Sequence, residues 1–238
     1  MITEIQLTEI RNYLLTKNLP IDLLVEVQDH FISQINDLQR EENLDFEHAF
    51  QRTKNSWQSE LKPYWDGGWD LTDRNNMVRN FERSVMKSGF RKSLKYSLII
   101  LVALLMSALL MNSSFFSYVL LLTVLTLIAL PIINYVKFFR SFRLYAKYQN
   151  YVLTLYQSFA FINFSFAYFL SLSVIHFEKG AKAFQEVMSV HFNWQSLAIV
   201  VLYFVSFIVS FFALISQKNY LKQIEKVKPF LKYLKPSS

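Results

Sequence analysis

Three side chains near the N-terminus have types and a spacing that suit metal binding. Glu26, Asp29 and His30 stand at positions i, i+3 and i+4, which places them on one face of a helix. Carboxylates and a histidine can begin a divalent-metal site, although a second helix would have to complete the shell, and His48 is the nearest other histidine. Acidic helix faces are common on protein surfaces. The pattern therefore favours a solvated face that docks a protein over a metal site.

A second group of such side chains lies between the last two apolar runs. His176, Glu178, Glu186 and His191 are separated by two, eight and five residues, a spacing that matches no recognised metal-binding motif. We interpret this stretch as an amphipathic loop at the membrane interface. The two histidines can titrate near neutral pH, so a response to acidity is a second hypothesis for this loop.

The sequence lacks the patterns of known catalytic sites. It contains no Cys, which excludes thiolate zinc sites, iron–sulfur clusters and cysteine nucleophiles. It also has no serine nucleophile with an adjacent base, no phosphate-binding loop and no glycine-rich dinucleotide fingerprint. We therefore predict that the protein is not an enzyme and carries no cofactor.

Long uncharged segments indicate a membrane protein. Of the 238 residues, 53% are hydrophobic and 18% are charged, whereas soluble domains average about 45–50% and about 25%. The 41 residues from Tyr96 to Val136 carry no charge, and about 20 helical residues are enough to cross a bilayer. The polar break Asn112-Ser113-Ser114 predicts two spans here, near 95–111 and 118–136.

Two more uncharged runs, 148–175 and 187–217, bring the prediction to four spans. No span has an internal Asp, Glu, Lys or Arg, and such residues are what ion pathways and proton relays require. The hydroxyl and amide side chains in the spans are expected to join helix to helix, with Asn163 facing the bundle. The absence of charge counts against coupled transport.

The charges are divided sharply along the chain. Residues 1–83 hold nine Lys or Arg and 15 Asp or Glu, whereas residues 84–238 hold 16 and three. The basic surplus lies beside apolar runs, which indicates membrane flanks and not a nucleic-acid surface. Fourteen of these Lys and Arg residues fall on one side of the four predicted spans and two on the other, so the positive-inside rule places both termini in the cytoplasm. The polar first 18 residues lack a signal-peptide core, and the first span is expected to direct insertion.

Residues 3–62 are predicted to form three amphipathic helices. Thr3 is the expected cap of the first helix, and Pro20 suits the first turn of the second. The apolar stripe of the second helix consists of Leu24, Phe31, Ile35 and Leu38. Asp45 is expected to cap a third helix that continues to Leu61. Short connections between such helices favour a compact bundle.

A segment rich in Trp and Gly follows this bundle. It runs from Pro63 to Asp70 and contains Gly67-Gly68 between Trp65 and Trp69, which predicts a hinge. A further cytoplasmic helix is expected to begin after the hinge, with Thr72 or Asp73 as its cap, and to end at Ser88 before the first span.

Within the bundle, residues 13–50 read YLLTKNLPIDLLVEVQDHFISQINDLQREENLDFEHAF. This stretch resembles the HAAS domain, the helix-turn-helix-associated α-helical signalling module of bacterial membrane proteins. The features that carry the resemblance are Tyr13-Leu14, Leu19-Pro20, Glu26, Asp29-His30 with Ile35, and then Glu47 and Ala49. The resemblance implies a module that precedes transmembrane helices and signals to a PadR-type winged-helix repressor.

The predicted fold class is all-α, a small cytoplasmic helical bundle followed by a four-helix transmembrane bundle. Its divisions are an acidic three-helix domain (1–62), a hinge with a juxtamembrane helix (63–94), four transmembrane helices (95–217) and a basic cytoplasmic tail (218–238). The predicted location is the bacterial inner membrane, and whether the protein forms homo-oligomers is left open.

The predicted function is regulatory. The membrane part senses lipid or envelope state, or serves as a tether, and the cytoplasmic domain binds a cytosolic protein without touching nucleic acid itself. The expected docking residues are Glu26, Asp29, His30, Asp37, Glu41 and Glu42. The alternative is a small transporter, or a transporter subunit, for a lipid or apolar substrate.

Overall fold

The computed structural model of the chain describes residues 2–65, 73–162, 167–189 and 193–236. Within these ranges every regular element is a helix, and one isolated antiparallel bridge joins Tyr64 to Arg74. The predicted all-α class is therefore confirmed. Eight of the helices in the described ranges have nine or more residues, and they are numbered α1 to α8 in chain order.

The chain divides into two compact units. The first consists of Met1–Val85, Arg143–Leu155 and Lys222–Ser238, and the second of Met86–Phe142 and Tyr156–Leu221. This division differs from the predicted domains, because two later segments of the chain belong to the same unit as the N-terminal helices.

The first unit contains three helices near the N-terminus, namely α1 (Glu4–Leu15), α2 (Ile21–Glu41) and α3 (Phe46–Ser56). Their apolar stripes meet in one core, because residues three and four apart share a helix face. The fully buried members are Ile10, Leu14, Leu24, Val27, Phe31, Ile35, Ala49 and Phe50. The predicted stripe of α2 is therefore in the core, except that Leu38 is only half-buried.

Side-chain caps define where two of these helices begin. The Thr3 hydroxyl accepts a hydrogen bond from the backbone N–H of Gln6, and the Gln6 side chain accepts one from the Thr3 N–H, which together form a capping box. Asp45 caps α3 by accepting from the N–H of His48. Both predicted caps are confirmed.

The third helix is shorter than predicted. It ends at Ser56, and a separate turn of helix spans Gln58–Leu61. Trp57, between them, donates its indole N–H to the Gln34 side chain at 2.8 Å. This tertiary contact with α2 holds Trp57 at the break, and no local sequence signal indicates it.

A non-helical segment from much later in the chain, residues 152–155, supplies hydrogen-bond partners at the start of α2. The backbone N–H of Ile21 donates to the carbonyl of Val152 at 2.8 Å, and that of Asp22 to Leu153 at 3.2 Å. The first N–H groups of a helix have no partner within the helix, and this segment supplies acceptors for those of Ile21 and Asp22. Residues 152–154 belong to no helix, so the first part of the uncharged run 148–175, in which the sequence predicts a third span, is not a membrane-spanning helix.

Helix α4 (Asn76–Leu110) is a single helix of 35 residues. The Asn75 side chain caps it by accepting from the N–H of Val78 at 2.9 Å. Asp73 is therefore not the cap, and Thr72 lies outside the described residues. The expected end at Ser88 is also wrong, because nothing in the following residues breaks a helix. The buried Gly89 allows the Phe212 ring to approach so closely that a Cβ would lie 2.8 Å from it.

The second unit contains α4 from Met86 onward, α5 (Ser113–Lys137), α6 (Ala167–Ile175) and α7 (Phe177–Val187). It also contains α8 (Trp194–Val227) as far as Leu221. Asn112 caps α5 by accepting from the N–H of Phe115, which confirms the predicted break between the first two spans. The core of this unit includes Leu104, Phe116, Leu120, Val124, Phe184, Val200, Tyr203 and Phe207. The predicted amphipathic loop is largely the helix α7, which buries Ala181, Ala183 and Phe184.

Three helices, α4, α5 and α8, are long and apolar enough to cross a membrane. The described part of the predicted third span contains the one-turn helix Gln157–Ala160 and the nine-residue α6, while Asn163 lies outside the described residues. The structure therefore confirms three of the four expected spans as helices of membrane-spanning length and composition.

Candidate functional site

The six predicted docking residues all lie on or at the end of α2. Glu42 is the C-cap of this helix, and the other five are within it. The side chains of Glu26, Asp29, His30, Asp37, Glu41 and Glu42 are all exposed. Since α2 buries its apolar stripe against α1 and α3, these polar residues remain on the outer side of the first unit.

Ion pairs neutralise most of this acidic surface. Arg40 lies 2.8 Å from Asp37 and 3.2 Å from Glu41. In addition, Arg52 pairs with Glu42, and the ammonium nitrogen of Lys226 lies 3.9 Å from Glu26. In the described part of the chain, Asp29 is the one carboxylate of this set that forms no salt bridge. Because Arg40 serves both Asp37 and Glu41, three cations face five carboxylates, and two negative charges remain, one on Asp29 and one shared by Asp37 and Glu41.

An aromatic patch lies beside Asp29. The His30 ring stacks on Trp57 with centroids 6.3 Å apart and an interplanar angle of 30°. Trp57 in turn contacts the buried Phe31 ring at 5.3 Å. An exposed acid, an imidazole and a half-buried indole form one continuous surface.

Asp22 is a buried carboxyl that the sequence analysis missed. One of its oxygens accepts from the N–H of Leu23 at 3.0 Å, and the other from the N–H of Leu155 at 3.4 Å. Burial raises the pKa of Asp22 to about 6, and the nearby Glu26 acts in the same direction, whereas the backbone hydrogen bonds oppose the shift. An Asp in the first turn of a helix is normally exposed to solvent, where its negative charge interacts favourably with the helix dipole. Its burial depends on a segment 133 residues away, which leaves no local signal.

The C-terminal segment of the first unit is anchored on α1 by a cation–π contact. The buried guanidinium of Arg11 lies 3.5 Å from the ring centroid of Tyr233 and 5.8 Å from that of Phe230. Desolvated contacts of this kind contribute about 2 kcal/mol. Part of the predicted basic tail is thus folded onto the N-terminal helices, where Lys226 also reaches Glu26.

The second sequence-predicted group is dispersed along and beside α7. His176 precedes the helix, Glu178 is exposed in its first turn, and Glu186 accepts from the hydroxyl of Ser196. His191 lies outside the described residues. Across the ranges that the structure describes, no three His, Asp or Glu side chains come together as a metal site would require.

Comparisons of the chain with protein-family models, with curated proteins and with solved structures find no match.

Proposed function

We propose that the protein is a regulatory membrane protein whose first unit binds a cytosolic protein. Three helices of membrane-spanning length support a multi-pass arrangement, and we propose that residues 156–175 provide the fourth span. The excess of Lys and Arg on one side of the spans supports cytoplasmic termini in a bacterial inner membrane.

The exposed surface formed by Asp29, His30 and Trp57 is the single observation that carries this proposal. Protein interfaces combine aromatic rings with polar groups at their rim, and this surface has both. An unneutralised carboxylate is repelled by an anionic inner leaflet, so it favours a basic protein over lipid. Complementary charge then accelerates the encounter and makes its rate fall as salt rises.

A winged-helix repressor of the PadR type is the first candidate for this partner, because of the resemblance of residues 13–50 to the HAAS domain. In this arrangement the repressor alone contacts DNA. The membrane protein controls how much repressor is free, and it neither binds nucleic acid nor catalyses a reaction.

The test reverses the charge of Asp29 in the full chain. Tagged wild type, Asp29→Lys and Glu9→Lys are purified from membranes in detergent, and their co-purified proteins are quantified by mass spectrometry. Glu9 is an exposed acid on α1, so the control makes the same change in net charge elsewhere. A surface charge pair contributes about 0.2–1 kcal/mol, and reversal replaces attraction by repulsion, so we expect about two- to thirtyfold less partner with Asp29→Lys.

Two controls separate binding from folding. Equal helicity of the three proteins by circular dichroism shows that the bundle is intact. If Asp29→Lys retains every partner at the level of Glu9→Lys, the surface around Asp29 is only solvated and the proposal is wrong.

A further inference from the structure

The second unit contains an apolar cavity of about 380 Å³. It is formed by the end of α6, the start of α7 and the N-terminal part of α8. Leu172, Ile199, Leu202 and Val205 provide its aliphatic walls. Small-molecule sites have volumes of about 300–1,000 Å³. The cavity is therefore large enough to hold part of a ligand.

Two hydroxyl groups in the cavity walls form hydrogen bonds to backbone carbonyls of the protein. The Tyr203 hydroxyl donates to the carbonyl of Ser173 at 2.9 Å, and the Ser206 hydroxyl donates to the carbonyl of Leu202 at 3.0 Å. Gly180 is required beside Tyr203, because a Cβ at this position would overlap the phenol oxygen. The walls therefore offer hydrocarbon surface to a ligand.

Two basic side chains complete the lining. His176 and Lys179 both border the cavity and are exposed. Lys179 forms no salt bridge with any described residue, whereas Lys182, one turn further along α7, lies 3.9 Å from Glu186. The cavity thus combines an aliphatic interior with an unneutralised cation at its edge.

The cavity opens onto a surface that a bilayer would cover. Leu202 and Val205 are 55% and 42% exposed on α8, a helix long and apolar enough to span a membrane. In a bilayer, lipid hydrocarbon chains surround such a surface. An acyl chain can therefore enter the cavity directly from the membrane.

We propose that this cavity binds one acyl chain of an anionic phospholipid, with the headgroup held by Lys179 and His176. Charge complementarity selects an anionic headgroup over a zwitterionic one, because each Lys near a membrane surface favours anionic lipid. This site is separate from the docking surface of the first unit, and neither proposal depends on the other.

The charge of the site is tested by native mass spectrometry of the full chain in detergent. Phosphatidylglycerol and phosphatidylcholine with identical chains are added in equal amounts to wild type, Lys179→Gln and Lys182→Gln. We expect wild type to prefer phosphatidylglycerol and Lys179→Gln to lose about fivefold of that preference, since one such contact contributes about 1 kcal/mol. Lys182→Gln removes the same charge from the same helix and should match wild type.

The cavity itself is tested with phosphatidylglycerol that carries a photoreactive diazirine in its acyl chain. Labelling of the wild type should map to residues 199–206 of α8. Val205→Trp fills the cavity and should abolish this labelling, whereas Val201→Trp, at an exposed position of α8 outside the lining, should retain it.

Three results would overturn the proposal. The first is an equal response of Lys179→Gln and Lys182→Gln, which would mean that lipid surrounds the protein without a site. The second is labelling spread evenly over the exposed faces of α4, α5 and α8. The third is complete displacement of phosphatidylglycerol by an equimolar fatty acid, which would assign the cavity to a different ligand.

Discussion

Asp22 shows how burial changes the chemistry of a single carboxyl group. Its pKa rises from 3.8 to about 6, mainly because burial disfavours the charged form. The folded protein therefore binds a proton more tightly at Asp22 than the unfolded chain does. Protonation of Asp22 therefore stabilises the folded state. This contribution to the free energy of unfolding is fully present below about pH 4 and is lost as the pH rises through about 6, a loss of about 3 kcal/mol.

Asp22→Asn should remove this pH dependence. The full chain in detergent is heated at pH 4.5 and at pH 7.5, and its unfolding midpoint is followed by intrinsic fluorescence. We expect the wild-type midpoint to fall between pH 4.5 and 7.5 by more than that of Asp22→Asn. Asp29→Asn neutralises an exposed carboxyl of the same helix and serves as the control. Parallel pH profiles for wild type and Asp22→Asn would contradict the assignment.

Polar side chains join separate elements in the second unit. Gln217 of α8 is buried, accepts from the Asn134 amide of α5 at 2.9 Å, and donates to the carbonyl of Ala160 at 3.2 Å. Hydrogen bonds between apolar helices replace the hydrophobic effect as a source of specificity within a bilayer. The sequence-based expectation that amides join helix to helix is confirmed for Asn134.

Gln217→Leu should weaken the packing of these elements. The substitution breaks both hydrogen bonds and leaves the Asn134 amide and the Ala160 carbonyl without this partner. Since such bonds contribute about 0.6–1.7 kcal/mol each, we expect a loss of about 1–3 kcal/mol in unfolding free energy. Titration of the detergent-solubilised chain with sodium dodecyl sulfate measures it. Gln195→Leu makes the same change at an exposed position of α8, and equal losses in the two variants would show that the pair contributes nothing.

At the scale of the whole molecule, the distribution of charge predicts the orientation in the membrane. The positive-inside rule places the segments before α4, between α5 and α6, and after α8 on the cytoplasmic side. The turn at Asn112 and the helix α7 then lie outside. Gln185 of α7 is a poor reporter of this arrangement, because its amide reaches the carbonyls of Ala108 and Met111 at 3.4 Å.

Single cysteines test this topology in a chain that has none of its own. Ser114→Cys and Lys182→Cys occupy exposed positions on the expected outer side, and Lys235→Cys an exposed position on the inner side. In intact cells an impermeant maleimide should label the first two and spare the third. Lysed cells, where all three should react, provide the control. Labelling of Lys235→Cys in intact cells would reverse or exclude the proposed orientation.

Several features could be predicted because each depends on neighbours within one or two turns of helix. They are the helical class, the caps at Thr3 and Asp45, and the break at Asn112. The spans of α4, α5 and α8 were also predictable, since hydropathy over about 20 residues is a property of the local sequence. The exposed residues of α2 follow from its period in the same way, and they include Asp29 and His30.

Only the tertiary structure decided which distant segments complete each unit. The sequence places Val152 and Leu153 in the uncharged run that holds a predicted span, and residues 218–238 in a basic cytoplasmic tail, because apolar or basic composition carries no information about a contact far along the chain. The carbonyls of Val152 and Leu153 accept hydrogen bonds at the start of α2, Asp22 accepts one from Leu155, and Arg11 contacts Tyr233, all across more than 100 positions of the chain. The ion pairs that Arg52 and Lys226 form with Glu42 and Glu26, and the cavity between α6, α7 and α8, arise in the same way. Helix formation depends on local hydrogen bonds and periodicity, whereas burial and pairing depend on which surfaces meet.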